Sequence, residues 1–205
     1  MRTFVAVEVP DQFAPLIESV RAALAGAVGK IRWVRAGGTH VTLAFLGEVG
    51  LDRVPGLVRR LGEAARGEAP FPLGFDGVGV FPHARRATVL WLGVRDPTGG
   101  LARLQRAVEA GLALEGFPPE GRLFFPHVTL GRWREPLTAA RVEALLQTPL
   151  PAVEGTWTVR ALRLMESRLT REGSVYSVVE DLPFGEEATR VVTECEEHGK
   201  RGATP

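Results

Sequence analysis

Cysteine is all but missing from the 205-residue chain, where Cys195 stands alone. One thiol cannot close an internal disulfide, and a zinc site built from several thiolates is equally excluded. The expected compartment is the reducing cytoplasm. No run of 18 apolar residues occurs, which removes a membrane-spanning helix. Residues 1–10 alternate apolar with polar and carry Glu8, so no signal peptide is expected there. No Gly-x-Gly-x-x-Gly follows a strand-like stretch, and the doubly wound dinucleotide-binding class loses its main signature. Lysine is nearly absent as well, two against 23 arginines. A GC-rich genome or heat adaptation accounts for that bias. The planar fork of arginine also suits phosphate, so the composition permits a phosphate ligand without arguing for one.

What is present describes a folding chain. Hydrophobic residues make up 45% and charged residues 24%, enough apolar surface for a sizeable core. The formal net charge is +1. Setting aside the five acids and three bases beyond Phe184 leaves 22 basic and 19 acidic residues in 1–184, a net +3. Such a mild excess does not announce a long nucleic-acid footprint.

Patterning divides the chain into alternating strands and helices. Arg2–Val9 alternates and stops at Pro10, as a strand does. Asp11 is a candidate N-cap for a helix through Phe13, Leu16, Ile17, Val20 and Leu24, closing near Gly26. Ile31–Val34 and His40–Leu46 read as strands, Leu51–Arg66 as a helix. Phe71–Val80 and Ala87–Val94 read as a hairpin joined by residues 81–86. Pro97–Leu114 has helical spacing, Phe125–Leu130 is strand-like and Thr138–Leu146 helical. Gly155–Leu164 and Ser174–Val179 close the set as strands. With no strict βαβ repeat, the pattern predicts an α+β fold with largely antiparallel sheets. Residues 185–205 are polar and Glu-rich and are read as a tail that follows a domain spanning 1–184.

One short repeat stands out. Residues 40–43 read His-Val-Thr-Leu, and the same four residues recur at 127–130. On a strand, His40 and Thr42 share one face and Val41 and Leu43 the other. His127 and Thr129 divide from Val128 and Leu130 in the same way. Two imidazoles suit phosphodiester cleavage without a metal, one taking a proton from the nucleophile and one giving a proton to the leaving oxygen. The hydroxyls of Thr42 and Thr129 are placed to donate to non-bridging phosphate oxygens. A single strand histidine is more often structural, but two of only four histidines head an identical tetrapeptide. His83 and His198 show no such context. A two-histidine zinc site lacks a third ligand at useful spacing near either copy, and no metal or other cofactor is expected.

The paired His-x-Thr-x motifs, with R-T-F-V-A-V-E-V-P at the start, G-V-G-V-F-P and V-L-W-L-G-V between, and S-R-L-T-R-E-G-S-V-Y-S-V-V at the end, resemble the 2H phosphoesterase superfamily. Within it the RNA 2′,3′-cyclic phosphodiesterase (2′-5′ RNA ligase) family is most similar. The resemblance covers nearly all of 1–184, and the tail matches nothing. It implies a bilobal fold of two pseudo-symmetric lobes, each with a mainly antiparallel sheet and flanking helices, and a central cleft between the two motifs. It implies His40 as proton donor and His127 as proton acceptor, with Thr42 and Thr129 on the phosphate. The implied substrate is an RNA end with a 2′,3′-cyclic phosphate, including tRNA halves, converted to a 2′-phosphomonoester. ATP-independent 2′-5′ joining is implied beside it. The protein is expected to act as a monomer and off the membrane. Another small cyclic phosphate, such as ADP-ribose 1″,2″-cyclic phosphate, and a non-catalytic RNA-binding module stay open as alternatives.

Further candidates carry less specific signals. Arg132 follows the second motif and would balance phosphate charge, although strict alternation turns it away from His127 unless the strand ends at Gly131. Phe81, Trp133 and Tyr176 are candidates to stack on a base, with Tyr176 in a family-like stretch. Arg85 and Arg86 form a basic pair on a turn.

Overall fold

The computed structural model describes residues 1–34, 39–170 and 173–185. Nine strands and four helices alternate along it: β1 (Arg2–Glu8), α1 (Ala14–Val28), β2 (Arg32–Trp33), β3 (His40–Glu48), α2 (Val54–Arg66), β4 (Phe71–Phe81), β5 (Ala87–Arg95), α3 (Gly100–Leu114), β6 (His127–Leu137), α4 (Ala139–Leu146), β7 (Thr156–Val159), β8 (Ala161–Thr170) and β9 (Gly173–Pro183). All strand pairings are antiparallel, and the fold is α+β as the patterning predicts.

The strand order is β7-β4-β5-β6-β3-β1-β8-β9, with β2 on β6. Its middle is weak, because β6 meets β3 through the one pair Val41↔Val128. The two expected sheets are therefore the halves β3-β1-β8-β9 and β6-β5-β4-β7, joined at the motif strands. Each half has its own helix pair. α2 and α3 pack together against β8, β9 and β3, and α1 and α4 pack together near β4. The helices bury one face of the sheet against the main core, which runs through Val5, Val41, Leu57, Leu90, Leu104, Val128 and Leu162. Phe4, Ala6 and Met165 form a separate small cluster with Tyr176 packed against it. All four come from strands, and this cluster lies on the face that the helices leave open. No helix among the described residues is long and apolar enough to cross a membrane.

Local departures from the sequence reading have clear causes. Asp11 sits in a 3₁₀ turn with no side-chain cap bond, and α1 starts instead at Ala14 with Pro15 in its first turn. Proline is at ease there, since the first amides of a helix have no intrahelical acceptor. The helix passes Gly26 and stops at Gly29, whose φ of 61° is the conformation a helix-ending glycine takes cheaply. The single strand expected at 155–164 is two. β7 pairs with β4 at one edge, and after Arg160 the chain enters β8, which pairs with β1 in the other half. Hydrophobic alternation continues through Arg160, so sequence pattern carried no sign of the change of partner. The tail reading of 185–205 lies outside the described residues beyond Gly185. Before it, Phe184 is buried and stacks on Phe71 at 5.7 Å.

Candidate active site

Val41 and Val128 are opposed across the seam and both point into the core. The residues on either side of each valine must then point to the open face. That places His40, Thr42, His127 and Thr129 together, all half-buried. The strands run in opposite directions, so His40 lies toward Thr129 and Thr42 toward His127. The two histidines are therefore diagonal neighbours across the seam, which in a regular antiparallel ladder stand roughly 7–8 Å apart, a span suited to a phosphate held between two imidazoles. The duplicated tetrapeptide becomes a local two-fold arrangement, with aliphatic backing below and polar groups above.

The two-fold relation extends past the tetrapeptides. In β3 the ladder to β1 jumps from Val5↔Ala44 to Ala6↔Thr42 and leaves Leu43 as an extra residue. In β6 the ladder to β5 jumps from Leu90↔Gly131 to Trp91↔Thr129 and leaves Leu130 extra. Each bulge places two successive residues on the core face and resets the alternation beyond it. Phe45 and Arg132, equivalent positions 87 residues apart, consequently return to the open face and are exposed. Arg132 thus joins the histidine side although its strand does not end at Gly131. Close packing requires a small residue at that bulge, since a Cβ on Gly131 would lie 2.7 Å from Ile31 Cδ1.

The two halves differ in charge and packing. Nδ1 of His127 is 2.7 Å from the Phe125 carbonyl oxygen. A carbonyl only accepts, so Nδ1–H is the donor, and in the neutral ring Nε2 keeps its lone pair. The ring sits edge-on to Phe81, with centroids 4.9 Å apart, and near Trp91 at 6.2 Å. Burial pushes the His127 pKa below the ordinary histidine value. The Phe125 carbonyl opposes that shift and the Arg132 charge adds to it. His40 is 4.7 Å from Phe4 and 4.9 Å from Tyr176, ring to ring. Its partner across the ladder is Glu8, where the equivalent partner of His127 is Gly93. Glu8 pairs with Arg163 at 2.6 Å, and Arg163 also reaches Asp181 at 2.6 Å. Glu8 and Arg163 of this triad line a pocket with His40 and Thr39.

Each sequence-predicted residue therefore has a definite place. His40, Thr42, His127, Thr129 and Arg132 share the open face. Tyr176, on β9, packs edge-on to His40 and Phe4, beside the site and against its donor-side histidine. Phe81 lies against His127. Trp133 belongs to the core instead. It is 6% exposed and its Nε1–H donates to the Val28 carbonyl at 2.8 Å. The reset phase after the Leu130 bulge turns it inward, so it is not a stacking residue. Arg85 and Arg86 are exposed on the 3₁₀ turn before β5. Sequence reasoning missed Glu8, Phe45, Trp91, Phe125 and Arg163. A signal existed for one side of the site: Phe4 and Ala6 put apolar residues on both faces of β1, which implies that its second face is also covered. Among the described residues, no three His, Cys, Asp or Glu side chains gather as a metal-binding group.

A family model described as the 2′-5′ RNA ligase superfamily matches residues 9–171. The RNA 2′,3′-cyclic phosphodiesterase of Methanothermobacter thermautotrophicus is 32% identical over 88% of this chain and 97% of its own length. That of Archaeoglobus fulgidus is 34% identical over 86% of this chain and 96% of its own. Among solved structures, TT0787 of Thermus thermophilus superposes with a TM-score of 0.76 at 27% identity, covering 91% of this chain and all of that one. Escherichia coli LigT in complex with 3′-AMP gives 0.71 at 28%, covering 89% and 97%.

Proposed function

Because this chain belongs to the 2′-5′ RNA ligase superfamily, we propose that it is an RNA 2′,3′-cyclic phosphodiesterase in which His40 and His127 act as donor and acceptor of protons. The observation that carries this reading is the seam itself. It gathers two histidines and two threonines on one open face with opposite polarity, as an in-line displacement at phosphorus requires of its entering and leaving sides.

The step runs as follows. Nε2 of neutral His127 takes a proton from water as its oxygen bonds to phosphorus. The P–O3′ bond breaks, and protonated His40 gives its proton to O3′. The product keeps phosphate on O2′ and regains the 3′-hydroxyl. Thr42 and Thr129 donate to the non-bridging oxygens where charge accumulates, and the exposed Arg132 on the same face adds positive charge for the RNA backbone. The environments favour this division of roles. Burial and the Arg132 charge lower the His127 pKa and so favour the neutral ring that an acceptor needs, while Glu8 stands across the ladder from His40. If a 5′-hydroxyl replaces water, the same displacement forms a 2′-5′ linkage without nucleotide triphosphate. The reading takes residues 1–184 as the catalytic domain, RNA ends including tRNA halves as substrate, and the monomer as the working unit.

The deciding assay offers oligonucleotides with 2′,3′-cyclic and with 3′-phosphate ends, in EDTA. Turnover of the cyclic end alone, to a product resistant to a 3′-specific phosphatase, is the expected result. A 3′-phosphate product would exchange the roles of His40 and His127. Binding without turnover would leave a non-catalytic RNA-binding module.

A further inference from the structure

A second arginine faces Arg132. Strand β2 lies along the edge of β6 just beyond the seam, and its register puts Arg32 directly opposite Arg132. Opposed residues of an antiparallel pair project to the same face, so Arg32 shares the open face with the histidines. Its neighbour Trp33 supports that phase, because it is half-buried against the main core with the Arg21 guanidinium over its ring. Both Arg32 and Arg132 are exposed.

Neither has an ion-pair partner among the described residues. Other arginines, Arg85 and Arg86 among them, also lack one, but Arg32 and Arg132 oppose each other across a single ladder. Like charges directly opposed weaken a ladder, and an anion between them would turn that cost into binding. With Leu130 bulged out, Arg132 stands two ladder steps beyond Thr129, opposite Val89 where Thr129 is opposite Trp91, roughly 7 Å at ~3.3 Å per residue. Arg32 is one strand further out. The pair is therefore offset from the histidines along the cleft, where a chain continuing past the reacting phosphate would pass. A 2′,3′-cyclic phosphate is always the 3′ end of its strand, so every other phosphate lies on one side of it.

We infer that Arg32, together with Arg132, binds the internucleotide phosphate on the 5′ side of the cyclic end. The site thereby selects an RNA strand over a mononucleoside cyclic phosphate. This rests on the phosphodiesterase reading above and adds to it a subsite and a preference. Two planar guanidiniums grip a phosphate from two directions, by charge and by paired N–H donors.

The test compares kcat/KM for a 2′,3′-cyclic mononucleotide and for a tetranucleotide with the same cyclic end, in the wild type and in Arg32→Gln and Arg32→Lys. The expected result is a fall in the tetranucleotide-to-mononucleotide ratio of roughly tenfold or more in Arg32→Gln, the usual weight of one charged hydrogen-bonded contact. It should be carried mainly by KM, with partial recovery in Arg32→Lys. The slope of log(kcat/KM) for the tetranucleotide against log salt should become shallower by about 0.7, one phosphate contact on a single strand. An unchanged ratio overturns the inference, whether both substrates suffer equally or neither does. Binding of a 2′-phosphate-ended tetranucleotide, followed by fluorescence anisotropy, separates this from failure of the catalytic reading. Weaker binding in Arg32→Gln upholds the subsite even without turnover, and equal binding refutes it. A thermal midpoint no lower than that of the wild type verifies that the variant is folded.

Discussion

Removing the two histidines singly and together measures whether they act in one displacement. Loss of a general acid or base typically costs ~10²–10⁴-fold, or about 2.7–5.4 kcal/mol at 1.36 kcal/mol per decade. Both His40→Ala and His127→Ala should fall in that range in kcat. If the groups worked independently, the double variant would lose the product of the two factors, about 10⁴–10⁸-fold. A single step that uses both at once saturates, so the double variant should be within about tenfold of the worse single one. Folding should survive. The His127 ring makes one hydrogen bond to the Phe125 carbonyl and an edge contact with Phe81, with Trp91 tilted farther off. A hydrogen bond of ~0.5–1.5 kcal/mol and an aromatic edge contact of similar size add to about 1–3 kcal/mol. At ~2–4 °C per kcal/mol for a chain of this size, the midpoint should drop by roughly 2–12 °C. Single-turnover assays well below that midpoint, with circular dichroism on each variant, supply the comparison. Near-wild-type turnover in either folded single variant, or a double loss equal to the product, would refute the shared step.

Other perturbations give equally definite expectations. Because burial and Arg132 lower the His127 pKa, the acid limb of the kcat/KM–pH profile should fall below pH ~6.5, the ordinary histidine value. Arg132→Gln should move it upward, and an unmoved limb would detach Arg132 from the acceptor. Thr42→Val and Thr129→Val should each slow turnover by no more than roughly 10²–10³-fold, the cost of one oxyanion donor, read from kcat against the histidine variants. Trp133→Phe should lose about 1–3 kcal/mol in urea unfolding, since it leaves the buried Val28 carbonyl at the end of α1 without its donor. Its kcat/KM should stay within about twofold of the wild type.

Much of the architecture is legible in the chain because it is local. Strand and helix periods depend on neighbours two to four residues away, and they placed all four helices and nearly every strand. The exceptions are instructive. The change of partner at Arg160 leaves no mark on hydrophobic alternation, because both β7 and β8 are half-buried strands. The repeat likewise made its own case, since identical residues on identical periods imply identical faces.

What joins distant residues is not written in any window. Glu8 meets His40 across 32 positions, and Arg32 meets Arg132 across 100; only hydrogen-bond register creates those neighbours. The same holds for phase. A bulge adds one residue and sends every later side chain to the other face, so Arg132 reaches the histidines and Trp133 the core against the reading from strict alternation. By itself the sequence determined the α+β class, the placement of most elements and the four residues of the two motifs, because each depends on short-range period and residue chemistry. The tertiary structure alone decided that the motif strands meet at a single pair, that one histidine faces a carboxylate and the other a glycine, and that two arginines stand opposed beyond the seam. Those relations follow from long-range pairing, which is selected by packing of the whole sheet and not by any local preference.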